Sequence, residues 1–218
     1  MDASVVKLKE VLVSKKVCGI ALDIDETLAN NAERLMNYLS KELGNPEGLT
    51  PAQLRKKYRY TWNVPYWDKS IRVEAVSDML KDSIPHESLP LIENSNIAVN
   101  NIIKKIPVCL YLTSRPPEVI EGTKIWLKKH NFPVAEIITK PTEIHYTNQY
   151  QWKINILNYL YPLVIGIVDD DPDFAKHSKN YKGKVWLYNH KSLPEFSKNV
   201  ISCKDWADVE KKILAMKV

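Results

Sequence analysis

The chain has 218 residues, of which 44% are hydrophobic and 26% are charged, with a formal net charge of +5. This length fits one domain with an insertion or two small domains, and the composition is that of a soluble globular protein. No apolar run approaches the roughly 20 residues that a membrane helix needs, and the lysines are scattered rather than gathered into a basic track. We therefore expect a cytoplasmic protein with neither a membrane nor nucleic acid as its partner.

The spacing of apolar residues predicts the elements in chain order. A helix is predicted over 5–13 and a short buried strand over 17–22. The pattern then becomes helical, with helices predicted over 32–43, from 50 onward and over 71–80, and with an aromatic stretch over 58–67. The second half alternates, with predicted strands over 106–112, 135–139, 164–168, 184–188 and 200–203 and predicted helices over 117–130, 150–159, 173–181 and 206–216.

Alternation of apolar strands with helices predicts an α/β fold, with a parallel sheet covered by helices on both faces. The sequence thus predicts a Rossmann-like core at 1–29 and 98–218, and a small helical insertion after the first strand at 30–97. Cys18, Cys109 and Cys203 each fall in a segment predicted as a strand. Because an odd number without paired spacing argues against disulfides and zinc, we expect three buried, reduced thiols.

Two aspartates follow the first predicted strand. Residues i and i+2 of a strand share a face, so Asp23 and Asp25 can both point into one site. Two carboxylates this close need a cation or a shared proton, which indicates a metal or a division of labour between nucleophile and acid. The alternative is a polar turn in which one aspartate caps a helix.

Other predicted strands end in polar clusters as well. Thr113, Ser114 and Arg115 follow the second strand, and Asp169, Asp170 and Asp171 follow a later one. Ligands of open α/β sheets bind beyond the carboxyl ends of the strands, so these clusters are expected to meet in one crevice. Clustered carboxylates offer oxygen ligands, which hard cations prefer, and Mg²⁺ is the cation that we expect first.

These residues carry a family resemblance. The run Asp23-Ile24-Asp25-Glu26-Thr27, Thr113 at a strand end, a lysine on a later helix and the Asp169-Asp170 pair resemble, in order, the four motifs of the haloacid dehalogenase-like (HAD) hydrolase superfamily. The resemblance implies a Mg²⁺-dependent phosphatase in which the insertion at 30–97 is a helical C1-type cap. Its phosphatase branch is favoured over dehalogenases, because dehalogenases of the superfamily lack an acid at the second aspartate.

The resemblance also implies residue roles. Asp23 attacks phosphorus to form an aspartyl-phosphate and binds the metal, while Asp25 donates and accepts protons and offers its backbone carbonyl to the metal. Thr113 and the Ser114 amide bind phosphoryl oxygens. Lys153 is favoured over Lys140 as the active-site lysine.

The register of the fourth motif is open. Asp169 supported by Asp173 is one alternative and Asp170 with Asp173 is the other, and both Asp169 and Asp170 are expected near the metal. Asp171, ahead of Pro172, is expected to cap a helix.

The substrate is predicted from the cap. A helical cap implies a small soluble phosphate ester. Residues 113–116 and 123–130 resemble the 5'(3')-deoxyribonucleotidase group, which implies a nucleoside monophosphate. Arg115 either contacts phosphate or pairs with an acidic neighbour, and Trp62 and Trp67 either stack on the substrate or pack inside the cap. The alternatives are a phosphatase of nucleic-acid ends or phosphoproteins, and a weak phosphate-binding regulatory module.

Overall fold

A computed structural model describes residues 2–68 and 84–216, so the helix predicted over 71–80 lies outside the described residues. The described chain contains a six-stranded, fully parallel sheet in the order β3-β2-β1-β4-β5-β6. The strands are β1 (Gly19–Leu22), β2 (Val108–Thr113), β3 (Glu136–Thr139), β4 (Val164–Asp169), β5 (Lys184–Tyr188) and β6 (Val200–Cys203). The predicted α/β sheet is confirmed.

One helix precedes the first strand, one follows the last, and the others lie between strands. Among the described residues they are α1 (Ala3–Lys15), α2 (Ala32–Glu42), α3 (Pro51–Tyr58), α4 (Ser95–Ile102), α5 (Ile120–Lys129), α6 (Gln149–Leu160), α7 (Pro172–His177) and α8 (Trp206–Leu214). Two predicted helices are divided: a 3₁₀ turn at Pro117–Val119 precedes α5, and another at Ser178–Asn180 follows α7.

The central strands are buried on both faces. Every residue of β1 and β2 is buried, which is why these segments are apolar without alternation. One apolar cluster contains Trp126 and Trp206, and a second contains Leu8 and Leu157. Strand order reverses beside β1, because β2 pairs with one edge of β1 and β4 with the other. In such sheets the crevice beyond this reversal is the usual ligand site.

The insertion after β1 has an apolar cluster of its own. Its described members Met36, Leu39, Leu54, Val64 and Trp67 are all buried. The chain leaves and re-enters the core at one place, where the Asn30 amide donates to the Pro90 carbonyl at 2.8 Å and Ala29 forms a bridge with Leu91. The cap boundaries at 30 and 97 stay a prediction.

The cysteine prediction is wrong for Cys18. Cys109 and Cys203 are buried, but Cys18 precedes β1 and is exposed, since the strand begins only at Gly19. All three thiols are free. Among the described residues, no helix has both the length and the apolar character required to cross a bilayer.

Candidate active site

Asp23 lies at the carboxyl end of β1. Its amide donates to the Val168 carbonyl at 2.9 Å, which extends the pairing between β1 and β4 by one residue. The side chain is 6% exposed. Its Oδ1 accepts from Lys153 Nζ at 2.7 Å, and its Oδ2 accepts a longer bond of 3.4 Å from Thr27 Oγ1. The sheet therefore fixes the Asp23 backbone, and Lys153 orients its carboxylate.

Three buried carboxylates form a candidate metal centre. One oxygen from each of Asp23, Asp169 and Asp170 lies within 4.8 Å of the others. Lys153 Nζ also donates to Asp169 Oδ2 at 2.9 Å, so Asp23 and Asp169 share this ammonium. Thr27 Oγ1 donates to Asp170 Oδ1 at 3.3 Å and links the pair at the end of β4 to the start of the insertion.

The electrostatics of this cluster call for a cation. Burial raises the pKa of Asp23 to about 7, although Lys153 opposes the shift. Burial, together with the charges of Asp169 and Asp23, raises the pKa of Asp170 well above its usual range. Negative charge thus exceeds positive charge in a place that water solvates poorly. Because all donors are carboxylate oxygens, the cluster fits a hard divalent cation such as Mg²⁺.

The two candidate lysines lie in different surroundings. Lys153, on α6, is buried between Asp23 and Asp169. Burial disfavours its charge, but the two carboxylates outweigh that effect and raise its pKa. Lys140 instead donates to the backbone carbonyls of Ile144 and Pro141, at 2.6 and 3.3 Å. The geometry therefore supports Lys153.

Thr113 and Ser114 follow the strand adjacent to β1. Thr113 ends β2 and is fully buried, and its Oγ1 accepts from the Arg115 amide at 3.2 Å. Ser114 is half-buried in the following turn. Their position at the carboxyl end of the sheet suits phosphate binding, and that role stays a prediction.

Asp25 is held by Arg115. The guanidinium Nε and Nη2 donate to the two Asp25 carboxylate oxygens at 2.8 and 2.9 Å, while Nη1 donates to Thr123 at 2.8 Å. Burial pushes the pKa of Asp25 upward, but Arg115, with help from His86 and Arg34, holds it below its usual range. Arg115 was predicted either to contact phosphate or to pair with an acidic neighbour, and in the structure it pairs with Asp25.

Asp171 and Asp173 lie at the start of α7. Asp171 accepts from the Asp173 amide at 2.8 Å, which confirms its predicted role as a helix cap. The Asp173 side chain is 46% exposed and pairs with Lys176 at 3.2 Å. It forms a surface ion pair and is not among the three converging carboxylates, so its support of a metal stays a prediction.

Tyr60, a cap residue that we did not predict from the sequence, contacts Asp170 of the candidate metal centre. Its hydroxyl lies 3.0 Å from the Asp170 carbonyl, 3.1 Å from Asp170 Oδ2 and 3.3 Å from His190 Nε2. Its ring stacks on Trp62 at 4.3 Å between centroids. The aromatic density of residues 58–67 was the available signal, but it did not single out Tyr60.

The two tryptophans considered for substrate contact differ. Trp62 is 47% exposed beside Tyr60, so its surface is accessible. Trp67 is 3% exposed, packs in the cap's apolar cluster and donates from Nε1 to the Gly44 carbonyl at 2.9 Å. Packing inside the cap, the other role open to it, is therefore the one that Trp67 has, and the substrate assignment for Trp67 is corrected.

Glu26 joins the first motif to the cap and was also missed. Its backbone φ is +58°, and its Oε1 accepts from the amides of Asn31 and Ala32 at 2.7 and 2.6 Å, at the start of α2. Its Oε2 accepts from Arg55 of α3 at 3.1 Å. This carboxylate thus ties two cap helices to the turn that carries Asp25.

Solved structures share this fold. A haloacid dehalogenase-like hydrolase from Streptococcus pneumoniae matches with a TM-score of 0.60 at 15% identity, covering 92% of this chain and 98% of that chain. A HAD hydrolase from Bacillus subtilis, bound to magnesium, matches with a TM-score of 0.54 at 14% identity, covering 90% and 98%. The L-2-haloacid dehalogenase from Xanthobacter autotrophicus, with chloropropionic acid covalently bound, matches at 0.57 and 11% identity, covering 92% and 100%.

No protein-family model matches the sequence, and no curated protein matches it. The structural similarity nevertheless spans nearly the whole of each chain. This chain therefore has the fold of the haloacid dehalogenase-like hydrolases, as the motif resemblance implied.

Proposed function

We propose that this protein is a Mg²⁺-dependent phosphomonoester hydrolase that acts through an aspartyl-phosphate on Asp23. The observation that carries the proposal is the buried cluster of Asp23, Asp169 and Asp170 around Lys153, at the carboxyl end of the central strands. A carboxylate nucleophile beside a fixed ammonium suits the transfer of a phosphoryl group, because charge accumulates on the phosphoryl oxygens.

The residues then divide the work. Asp23 Oδ attacks phosphorus, and the bond from phosphorus to the leaving oxygen breaks. Lys153 reduces repulsion between the Asp23 carboxylate and the anionic phosphate. Thr113 and the amide of Ser114 hold phosphoryl oxygens. Water then attacks the aspartyl-phosphate, releasing phosphate and restoring the Asp23 carboxylate.

Proton transfer is assigned to Asp25. It gives a proton to the leaving alkoxide and then takes one from the attacking water. Because Arg115 bonds both of its oxygens and holds its pKa below the usual range, Asp25 must first release one oxygen from the guanidinium and take up from solvent the proton that it then gives. Arg115 is thus a positioning residue for Asp25.

The residues that would hold Mg²⁺ are Asp23, Asp169 and Asp170, with the Asp25 carbonyl as a further oxygen. The ion would supply positive charge that neutralises the cluster and polarises the phosphoryl group. The preferred substrate is a small soluble phosphate ester, with a nucleoside monophosphate as the first choice. A localisation in the cytoplasm is part of the same proposal.

The first test is phosphate release from an aryl phosphate in the presence of Mg²⁺. We expect Asp23→Asn to reduce kcat by about 10³-fold or more, as removal of a nucleophile does. Asp173→Asn is the matched control, because it removes an exposed carboxylate from the same end of the sheet. Full activity in Asp23→Asn would refute the proposal.

The second test separates the alternatives. We expect turnover of nucleoside monophosphates and none of phosphopeptides or 3'-phosphorylated DNA. Tight nucleotide binding without hydrolysis would indicate a regulatory module instead. Because structural relatives include dehalogenases, halide release from a 2-chlorocarboxylic acid is measured in parallel. Halide release without phosphate release would assign the chain to carbon–halogen chemistry.

A further inference from the structure

Two adjoining cavities lead away from the metal centre. The first, of about 340 Å³, is lined in part by Asp170, Tyr60, Arg55 and Arg59. The second, of about 460 Å³, is lined by Arg59, Asn189, His190, Lys191, Leu193 and Lys204. Arg59 and Asn189 line both, so the cavities meet at this point. Each lies in the usual size range of a small-molecule site.

The second cavity is cationic. Its lining includes Arg59, Lys191 and Lys204 and no carboxylate. These three cations come from separate segments, namely the end of α3, the loop after β5 and the turn after β6. A cleft lined by one sign of charge raises the local concentration of ligands of the opposite sign, so this cavity suits an anion.

Arg55 and Arg59 differ in availability. Arg55 is neutralised by Glu26 at 3.1 Å and Glu33 at 3.5 Å. Within residues 2–68 and 84–216, Arg59 forms no ion pair at 4.0 Å or less; its Nη1 donates to the Asn189 carbonyl at 2.7 Å. The guanidinium keeps further donors for a ligand, since arginine has five N–H groups.

The conformation of Arg59 is fixed in advance. Its backbone φ is +65°, which a side chain bearing Cβ adopts at an energetic cost, so the surrounding contacts must hold it there. Its guanidinium carbon lies 5.0 Å from the centroid of the Tyr60 ring, and the hydroxyl of the same ring contacts Asp170. The guanidinium is therefore about one tyrosine side chain away from the metal centre.

We propose that the substrate carries a second anionic group, a phosphate or a carboxylate, which binds at Arg59 with Lys191 and Lys204 while its first phosphate lies at Asp23. This inference rests on the proposed function and narrows its substrate class to small phosphate esters that carry a second anionic group. The second group stays on the product. The separation of one tyrosine side chain suits two groups carried on a single sugar or nucleoside.

The experiment compares matched substrates at constant free Mg²⁺. The pairs are adenosine 5'-monophosphate against adenosine 3',5'-bisphosphate, and glucose 6-phosphate against glucose 1,6-bisphosphate, with 6-phosphogluconate as the carboxylate arm. We expect kcat/KM to be about tenfold higher or more for the member with the second anionic group, because a tenfold change corresponds to the free energy of about one charge-assisted hydrogen bond. Equal values for both members of each pair would overturn the inference.

The variants locate the effect. Arg59→Gln should lower kcat/KM for the substrates with two anionic groups about tenfold more than for those with one. Lys198→Gln, an exposed lysine outside both cavities, should preserve the preference. An equal effect of Arg59→Gln on both classes would refute the assignment. If circular dichroism shows that Arg59→Gln is unfolded, the double variant Lys191→Gln, Lys204→Gln makes the same comparison.

The two proposals fail in different ways. If no substrate releases phosphate in a manner that depends on Asp23, the proposed function fails. Calorimetric titration of the same pairs into the wild-type protein then still tests for the second anion site. If phosphate is released but the preference is absent, only the further inference fails.

Discussion

Replacing Lys153 with methionine tests whether this lysine is the cation that holds the acidic cluster together. The Lys153 side chain is 6% exposed, and its ammonium bonds to Asp23 at 2.7 Å and Asp169 at 2.9 Å. Methionine keeps an unbranched apolar side chain but leaves the buried carboxylates of Asp23 and Asp169 without the ammonium. Removing one partner of a buried ion pair costs about 3–5 kcal/mol. We expect a loss of this size in the free energy of unfolding at pH 8 without metal.

The assay is urea unfolding followed by circular dichroism, in a chelator and then with Mg²⁺. Lys140→Met is the control, because Lys140 donates to backbone carbonyls and its loss should cost about 1 kcal/mol. Mg²⁺ should restore part of the stability of Lys153→Met, since a second cation can neutralise the same oxygens. If Lys153→Met loses no more stability than Lys140→Met, the electrostatic account of the cluster is wrong.

Three further outcomes are expected. Because the pKa values of Asp23 and Asp170 are raised in the folded metal-free protein, these two groups stabilise it at about pH 4 and lose that contribution as the pH rises through 7. The difference in melting temperature between the wild type and Asp170→Asn, measured by fluorimetry, should therefore fall over this range, and a constant difference would contradict it. Tyr60→Phe should weaken Mg²⁺ binding about tenfold in calorimetry, because it removes the hydroxyl that bonds to Asp170. Tyr66→Phe is the control, since the Tyr66 hydroxyl bonds to Asn45 instead, and equal affinities of the two variants would refute a role for Tyr60 in metal binding. Arg115→Lys should destabilise the fold by about 2–4 kcal/mol in urea, because lysine cannot bond both Asp25 oxygens; a loss under about 0.5 kcal/mol would show that the fork is unimportant.

The sheet and the acidic cluster could be predicted because they depend on local patterns. Buried parallel strands are continuous apolar runs, so β1, β2 and β4 were recognisable in the sequence, and their carboxyl ends meet by geometry. Asp23, Asp169 and Asp170 therefore converge as expected. Lys153 could be favoured because its helix directly precedes β4.

Contacts between the cap and the core could not be predicted in the same way. The approach of Tyr60 to Asp170 depends on how α3 packs, and no periodicity encodes a contact 110 residues apart. Five aromatic residues between 58 and 67 share one composition signal, while their burial differs from one to the next. The exposure of Cys18 was missed for a smaller reason, since the strand begins at Gly19, two residues after the start of the apolar run.

The meeting of Asn30 with Pro90 and of Ala29 with Leu91 has an evolutionary consequence. Viewed from the sheet, the whole insertion is a loop whose ends touch, and lengthening such a loop adds little closure entropy. Segments of other lengths and sequences could be exchanged between these points without changing the strand register. Such an exchange would alter the surface of the insertion and leave the acidic cluster at the strand ends in place.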